Sequence, residues 1–151
     1  EDGHITEDPK IRTEMVLKRL RKLESAKAEM KPPNVYGSED ADVILVGWGA
    51  TYGVIREAVD ILNGDGPALE RSEGMNAAMM HLSEIWPFPV EAVANILSKA
   101  KKTFTIEGNA NAQLAHLIRA ETGITITGKV LKFDGRPFSP GYIVRAIKKE
   151  G

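Results

Sequence analysis

The amino-acid sequence predicts a three-layer α/β domain with a mainly parallel β-sheet, preceded by one long helix. Strand-like and helix-like hydrophobic patterns alternate from Val43 to the end of the chain. The first strand-like run, 41–49, is apolar at nearly every position, which is typical of a strand covered by helices on both faces. The length, 151 residues, suits a single domain of ordinary size.

The opening segment is predicted to form one charged helix. Asp8 and Pro9 are good N-cap and first-turn residues, and Pro32-Pro33 ends the helix. Its apolar residues form one stripe, widened toward the start: Val16, Leu20, Leu23 and Met30, with Ile11 and Met15. The basic residues at 18–22 are interpreted as a solvated face rather than a phosphate site. We expect residues 1–34 to be a connector and residues 35–151 to be the α/β domain.

The strand and helix patterns then follow one another in order. Strands are predicted at 41–49, 76–82, 103–107 and 129–133, and helices at 51–62, 90–101, 111–122 and 141–149. The last strand alternates polar and apolar residues, which predicts a half-buried strand at a sheet edge.

Composition and charge exclude several classes of function. The net charge of −1 argues against a dedicated nucleic-acid binder, which needs a basic excess. The absence of Cys excludes a disulfide framework, a thiolate metal site and a cysteine nucleophile. No run is long enough to span a membrane and no signal peptide is visible, so a cytoplasmic location is expected. Because the chain starts with Glu1 rather than Met, it is either processed or a piece of a longer protein.

The clearest candidate for a ligand site is the glycine-rich turn 47–53. It occupies the strand-to-helix position of a dinucleotide fingerprint, but Tyr52 stands where the pattern needs Gly, and no acidic residue closes the next strand. A tight turn that lets helix and strand approach is therefore favoured over phosphate binding. The histidines, His4, His81 and His116, lack metal-ligand spacing.

The carboxyl ends of the predicted strands carry the other candidates. Gly49, Trp86 and Glu107 each follow a strand, so a parallel sheet would align them along one edge. No catalytic partner stands near Glu107 in the sequence, and we expect its carboxyl group to accept hydrogen bonds from backbone N–H groups of neighbouring turns. No residue of the chain is predicted to be catalytic, to bind a cofactor or to ligate a metal.

Aromatic and arginine side chains in the loops indicate a protein interface. The candidates for this interface or crevice are Trp48, Gly49, Trp86, Glu107, Asn109, Arg136 and Phe138. An alternative stays open, in which the aromatic residues only cap the ends of the sheet.

The order of several short motifs resembles one family over essentially the whole chain. The segment 3–9 and the basic run 18–22 resemble the connector of the α subunit of 2-oxoacid:ferredoxin oxidoreductases. The C-terminal domain of that subunit is matched, in order, at 46–51, 56–58, 81–82, 86–89, 107–109, 113–115, 118–119 and 133–138. Two positions depart from the pattern: Ala112 stands where the family usually has Gly, and Gly108 where relatives often have Gln.

The resemblance implies a domain like the C-terminal domain of transketolase, with five strands of which one edge strand is antiparallel. It implies a parent enzyme that converts a 2-oxoacid, coenzyme A (CoA) and oxidised ferredoxin into acyl-CoA, CO2 and reduced ferredoxin. Thiamine diphosphate, Mg²⁺ and iron–sulfur clusters would be held by other parts of that enzyme. Overall similarity favours 2-oxoglutarate as the 2-oxoacid.

In this interpretation the chain organises subunits and does no chemistry itself. Its expected partners are the remaining domains of the α subunit, the β subunit and a second copy of the chain, with ferredoxin and CoA serving the intact enzyme and no role for nucleic acid or membrane. The alternatives are a free-standing nucleotide- or CoA-binding module and a non-catalytic interaction domain.

Overall fold

The computed structural model describes residues 3–65 and 74–150. The two predicted segments also contain residues 1–2, 66–73 and 151, which lie outside the described ranges. The helices are α1 (Pro9–Glu29), α2 (Tyr52–Leu62), α3 (Val90–Leu97), α4 (Gln113–Thr122) and α5 (Pro140–Glu150), and a short 3-10 turn, Gly49–Thr51, precedes α2. The strands are β1 (Asn34–Gly37), β2 (Val43–Trp48), β3 (Ala77–Leu82), β4 (Lys102–Glu107) and β5 (Gly128–Leu131).

The strands form one sheet in the order β1-β3-β2-β4-β5. β1 is antiparallel to β3, and every other pair is parallel. This confirms the α/β fold, including the antiparallel edge strand implied by the resemblance. The residue patterns alone predict no strand at 34–37, because four residues at an edge carry too little hydrophobic periodicity to register as a strand.

Two apolar layers cover the sheet. Alternate residues of β2 divide between them, with Val43 and Leu45 in one layer and Ile44 and Val46 in the other. α2 and α5 pack on the first face, whereas α3 and α4 pack on the second. The predicted burial of β2 on both faces is therefore confirmed.

Two element boundaries differ from prediction in a way that affects the candidate sites. The fifth strand ends at Leu131 rather than at residue 133, so Phe133 lies in a loop with 68% of its surface exposed. The third helix ends at Leu97 rather than at residue 101, because the chain turns there to enter β4. The backbone N–H groups of Lys101 and Lys102 both donate to the carbonyl of Asp42.

α1 differs from the other long helices because none of its residues is buried. Asp8 caps it: its Oδ1 accepts from the N–H groups of Lys10 and Ile11 at 2.8 and 3.1 Å. The end of α1 lies near the α/β part, where Lys27 and Met30 line a cavity of about 260 Å³ together with Pro89 and Val90. Within the described ranges, no helix has the length and apolar character needed to cross a membrane.

Candidate functional site

The carboxyl ends of β2, β3 and β4 form a crevice at the point where the strand order reverses. β2 lies at the centre, β3 follows on one side and β4 on the other. In open α/β sheets this reversal leaves a gap in which ligands are commonly bound. Here the gap is a crevice of about 540 Å³, lined by residues from 48–51, 82–85 and 108–113. The predicted alignment of Gly49, the Trp86 loop and Glu107 along one edge is confirmed.

Glu107 is built into the frame of this edge. Its side chain is fully buried, and no basic side chain is among its hydrogen-bond partners. Oε2 accepts from the backbone N–H of Leu114 at 2.8 Å and from Asn109 Nδ2 at 2.9 Å, and Oε1 accepts from the N–H of Ala115 at 3.2 Å. Leu114 and Ala115 belong to the first turn of α4, whose N–H groups have no partner within the helix. Glu107 thus caps α4 from a neighbouring strand, as expected from the sequence.

Asn109 completes the same network. Its Oδ1 accepts from the backbone N–H groups of Asn111 and Gln113 at 3.0 and 3.3 Å, while its amide nitrogen holds Glu107. Both side chains are therefore occupied in shaping the turn between β4 and α4.

The turn ends in Ala112, the non-glycine residue with positive φ in the described chain. Its φ of 51° and ψ of 49° place it in the left-handed region that glycine tolerates best. The turn before α4 requires a left-handed backbone conformation, and Ala112 adopts it although it is not glycine. The resemblance had singled out this position as a departure.

The turn between β2 and α2 is a close approach of backbone to helix. A Cβ on Gly47 would lie 2.2 Å from Ile55 Cδ1 and 2.5 Å from Thr51 Oγ1, so the residue must be glycine for this packing. Thr51 Oγ1 also accepts from the N–H of Trp48 at 3.1 Å and donates to its carbonyl at 2.8 Å. The geometry agrees with the interpretation of 47–53 as a tight turn.

His81, on the neighbouring strand β3, contacts this turn. It is buried on β3, its Nε2 is 3.1 Å from the carbonyl oxygen of Gly49, and its ring meets Tyr52 edge-on at 5.1 Å. Burial lowers the pKa of His81, outweighing the Gly49 carbonyl, which acts in the opposite direction. In the described residues His81 has no acidic partner and no second histidine beside it, and groups of three or more metal-ligating side chains do not occur there.

The predicted interface residues are not equally accessible. Trp86 is 61% exposed, whereas Trp48 and Phe138 are half-buried. Phe138 packs on the core and meets the ring of Tyr142 at 5.8 Å, so it fits the alternative in which an aromatic residue caps the sheet. Gly49 and Arg136 are exposed.

Sequence reasoning missed Phe133, the most exposed aromatic residue at this edge. Lys132 shapes the loop that presents it: Lys132 Nζ contacts the Asp134 carboxyl group and donates to the carbonyl of Arg136 at 3.1 Å. The hydrogen bond from Lys132 lowers the pKa of the exposed Asp134. Because Phe133 was predicted to lie in a strand, its exposure was not predicted. The adjacent Asp134-Gly135 pair is typical of a turn and could have indicated the loop.

Comparison with known proteins places this fold in one family. Residues 41–143 match the pyruvate:ferredoxin oxidoreductase core domain II. The α subunit of 2-oxoacid:ferredoxin oxidoreductase 1 from Aeropyrum pernix is 37% identical over 152 aligned positions, covering 97% of this chain and 22% of that subunit. The corresponding α subunit from Sulfurisphaera tokodaii is 32% identical, covering 99% of this chain and again 22% of its own length. The chain therefore spans between a fifth and a quarter of these relatives.

Two solved structures share the fold. The 2-oxoglutarate:ferredoxin oxidoreductase from Magnetococcus marinus, with 2-oxoglutarate, CoA and succinyl-CoA bound, superposes with a TM-score of 0.80 at 34% identity, covering 99% of this chain and 25% of that one. The α chain of a probable 2-oxoacid ferredoxin oxidoreductase from Thermoplasma acidophilum superposes with a TM-score of 0.52 at 33% identity, covering 78% of this chain and 95% of that one. The family match, together with this sheet order and edge, shows that the chain belongs to the family of pyruvate:ferredoxin oxidoreductase core domain II.

Proposed function

We propose that this chain is the C-terminal domain of the α subunit of a 2-oxoacid:ferredoxin oxidoreductase and that it organises subunits rather than performing chemistry. The observation that carries the proposal is the contrast along the carboxyl edge of the sheet. Glu107, the carboxyl group at the end of β4, is fully buried as the cap of α4, while Trp86 and Phe133 are 61% and 68% exposed. A sheet edge whose buried carboxyl group has a structural role and whose aromatic side chains are exposed is suited to contact with another protein.

The side chains of this chain do not fit the cofactors that the resemblance implies. Iron–sulfur clusters are held by cysteine thiolates, and the sequence contains no Cys. Mg²⁺ is bound through one or two carboxylates together with substrate phosphates. Glu107, the carboxyl group beside the crevice, is buried and already accepts three hydrogen bonds. We therefore assign thiamine diphosphate, Mg²⁺ and the clusters to other parts of the proposed enzyme.

The partners belong to the same proposal. The carboxyl edge would pack against the remaining domains of the α subunit or against the β subunit, and a cytoplasmic location and a homodimer complete the proposal. The division at residue 34/35 also stays a prediction. It is supported by the start of β1 at Asn34 and by the Thermoplasma acidophilum chain, which contains little beyond the matching region.

Assembly of the intact enzyme tests the organising role. In the full α subunit co-expressed with the β subunit, Phe133→Ser and Arg136→Ala should weaken assembly about tenfold or more, as expected of interface anchors. Arg145→Ala is the matched control, because Arg145 is also an exposed arginine but lies on α5. Assembly affinities that are equal for all three variants would refute the organising role of this edge.

Activity tests the second half of the proposal. The chain alone, given thiamine diphosphate, Mg²⁺, CoA and ferredoxin, should not decarboxylate pyruvate or 2-oxoglutarate at any pH. Measurable turnover would show that the chemistry lies in this chain.

A second candidate function is a CoA- or nucleotide-binding module, and the crevice of about 540 Å³ at the strand-order reversal favours it. Isothermal titration calorimetry of the chain with CoA and with ATP separates the two candidates. The organising role predicts no binding heat, and saturable binding that is lost in Gly49→Trp would support the module.

A further inference from the structure

The loop 132–138 follows β5 at the carboxyl edge of the sheet and borders the crevice. Its first residue is held by the sheet, because the backbone N–H of Lys132 donates to the carbonyl of Glu107 at 3.1 Å. A Cβ on Gly108, which lines the crevice, would lie 4.0 Å from the carbonyl oxygen of Lys132. The start of the loop is therefore fixed to β4, beside the turn that leads to α4.

The side chain of Lys132 lies against this loop and not in open solvent. Only 11% of the side chain is exposed, whereas lysine side chains are rarely buried unless they are paired. Its Nζ contacts the Asp134 carboxyl group, donates to the carbonyl of Arg136 at 3.1 Å and lies 5.8 Å from the centre of the Tyr142 ring. One ammonium group thus joins both sides of the turn and lies over a residue of α5.

Asp134 completes the same arrangement. The oxygen that contacts Lys132 also accepts from the backbone N–H of Arg136 at 3.1 Å, so the backbone is held on both sides of Gly135. Gly135 has a φ of 77°, in the left-handed region that favours glycine. Hydrogen bonds in which one group is charged are stronger than those between neutral groups. The loop is therefore closed by contacts within the chain, without any contribution from a partner.

The closed loop leaves two side chains available for contact. Phe133 is 68% exposed, and Arg136 is exposed, with no ion pair to its guanidinium group in the described part of the chain. Lys132 offsets the charge of Asp134, which leaves the charge of Arg136 uncompensated within the loop. An exposed aromatic ring beside an unpaired guanidinium fits a protein surface that carries a carboxyl group next to an apolar pocket.

Order in the loop before binding increases the affinity for such a surface. A flexible loop loses conformational entropy when a partner fixes it, and this loss weakens binding. Here the loss occurs when the chain folds, because the contacts of Lys132 lie within the chain. The loop therefore presents Phe133 and Arg136 at a fixed separation to an incoming partner.

Lys132 itself is poorly placed to bind that partner. Its side chain is nearly covered, and its ammonium group is already engaged by Asp134 and by the carbonyl of Arg136. Its effect on binding is therefore exerted through the side chains that it positions.

We propose that Lys132 is the positioning residue of this loop: it holds residues 133–136 in their binding conformation before a partner binds, and so sets how tightly Phe133 and Arg136 engage a protein surface with a carboxyl group beside an apolar pocket. This deepens the organising role and rests on it, since the loop belongs to the same edge. It makes the affinity of that edge depend on a side chain that the partner does not touch.

Nuclear magnetic resonance relaxation of the chain alone tests the order of the loop. Backbone order parameters at 133–136 should be about 0.85, as in rigid backbone, and should fall below about 0.6 in Lys132→Met, which removes the ammonium group. Lys132→Arg should restore the order, because a guanidinium also donates to carboxyl and carbonyl oxygens. Lys129→Met is the matched control, since Lys129 is an exposed lysine on β5 and its loss removes the same charge. A wild-type loop below about 0.6, or a Lys132→Met loop as rigid as the wild type, would overturn the proposal.

Assembly of the full α subunit with the β subunit tests the consequence for binding. Lys132→Met should weaken assembly about tenfold, with Lys132→Arg and Lys129→Met close to the wild type and with circular dichroism reporting the fold of each variant. Lys132→Met combined with Phe133→Ser should weaken assembly by less than the product of the two separate factors, because Lys132 acts through the presentation of Phe133. Factors that multiply fully would show that Lys132 acts independently of Phe133, which contradicts the positioning role.

Failure of this proposal and failure of the organising role are distinguishable. If Phe133→Ser and Arg136→Ala leave assembly unchanged, the organising role of the edge is wrong and the positioning role falls with it. If those two variants weaken assembly and Lys132→Met does not, the organising role is retained and only the positioning role of Lys132 is wrong.

Discussion

α1 and α4 are capped in similar ways at their N-termini but differ in how they pack. Each has a carboxyl group accepting from N–H groups of its first turn: Asp8 from within the same exposed segment, and Glu107 from a buried strand. α4 then buries Leu114, Ala115 and Ile118 against the sheet, whereas α1 buries no residue. Since most helical stability in proteins comes from packing of an apolar face, the two helices depend on different things. α4 is stabilised by packing against its own chain, whereas α1 lacks such packing in the described residues.

The largest effect is expected at the Glu107 cap. Glu107→Ala leaves two buried backbone N–H groups of α4 and the Asn109 amide without their acceptor, which should cost about 1–3 kcal/mol of unfolding free energy. Leu20→Ala, on the exposed face of α1, should change the same free energy by less than about 0.5 kcal/mol in dilute solution. Urea denaturation followed by circular dichroism measures both, and equal losses would abolish the distinction between the two helices.

The next effect is expected where α2 approaches β2. Gly47→Ala drives a Cβ against Ile55 and Thr51 and should destabilise the chain by about 1–3 kcal/mol through overpacking. Gly53 is the matched control: its Cβ would meet nothing within 4 Å, and it lies in helix α2. Gly53→Ala should therefore stabilise by about 0.5–1 kcal/mol. A Gly47→Ala protein with an unchanged denaturation midpoint would show that helix and strand are not closely packed there.

The smallest effect concerns pH and is confined to the α/β part. Burial lowers the pKa of His81 in the folded chain, so the unfolded chain, with a pKa near 6.5, binds its proton first as the pH falls. The stability contributed by neutral His81 should be complete above about pH 6.5 and decline as the pH falls through the lowered pKa. Thermal unfolding of the wild type and of His81→Gln, compared between neutral and mildly acidic pH, should show a steeper loss for the wild type. Equal losses of stability in the two proteins as the pH falls would show that His81 does not contribute to this pH dependence.

The sequence patterns correctly predicted the strands and helices whose residues show a clear hydrophobic periodicity. The continuous apolar run of β2 and the amphipathic patterns of α2 and α5 are long enough to show their period, and they appear in the structure within one or two residues of expectation. The alignment of Gly49, Trp86 and Glu107 also followed, because parallel strands necessarily gather their carboxyl ends at one edge.

Three features were not predicted: the Phe133 loop, because an alternating pattern outweighed a local turn signal, and the Ala112 conformation and the exposure of α1, because both depend on tertiary contacts. Phe133 appears to continue an alternating strand in the sequence, yet β5 ends two residues earlier and Lys132 organises the loop through Asp134 and Arg136. The left-handed Ala112 likewise follows from the geometry of the Glu107 cap and from no local signal, since alanine is not a turn residue. The exposure of the α1 stripe is a tertiary fact, because an amphipathic pattern shows a face to be buried without showing what buries it.

Hydrogen–deuterium exchange across a range of protein concentrations tests the contrast between the two helices most directly. The amides of Leu114 and Ala115, which are held by Glu107, should exchange slowly at every concentration. The amides around Leu20 in α1, which has no buried residue, should exchange rapidly in dilute solution. Strong protection of α1 in dilute solution, or exchange at Leu114 and Ala115 as rapid as at Leu20, would contradict the account.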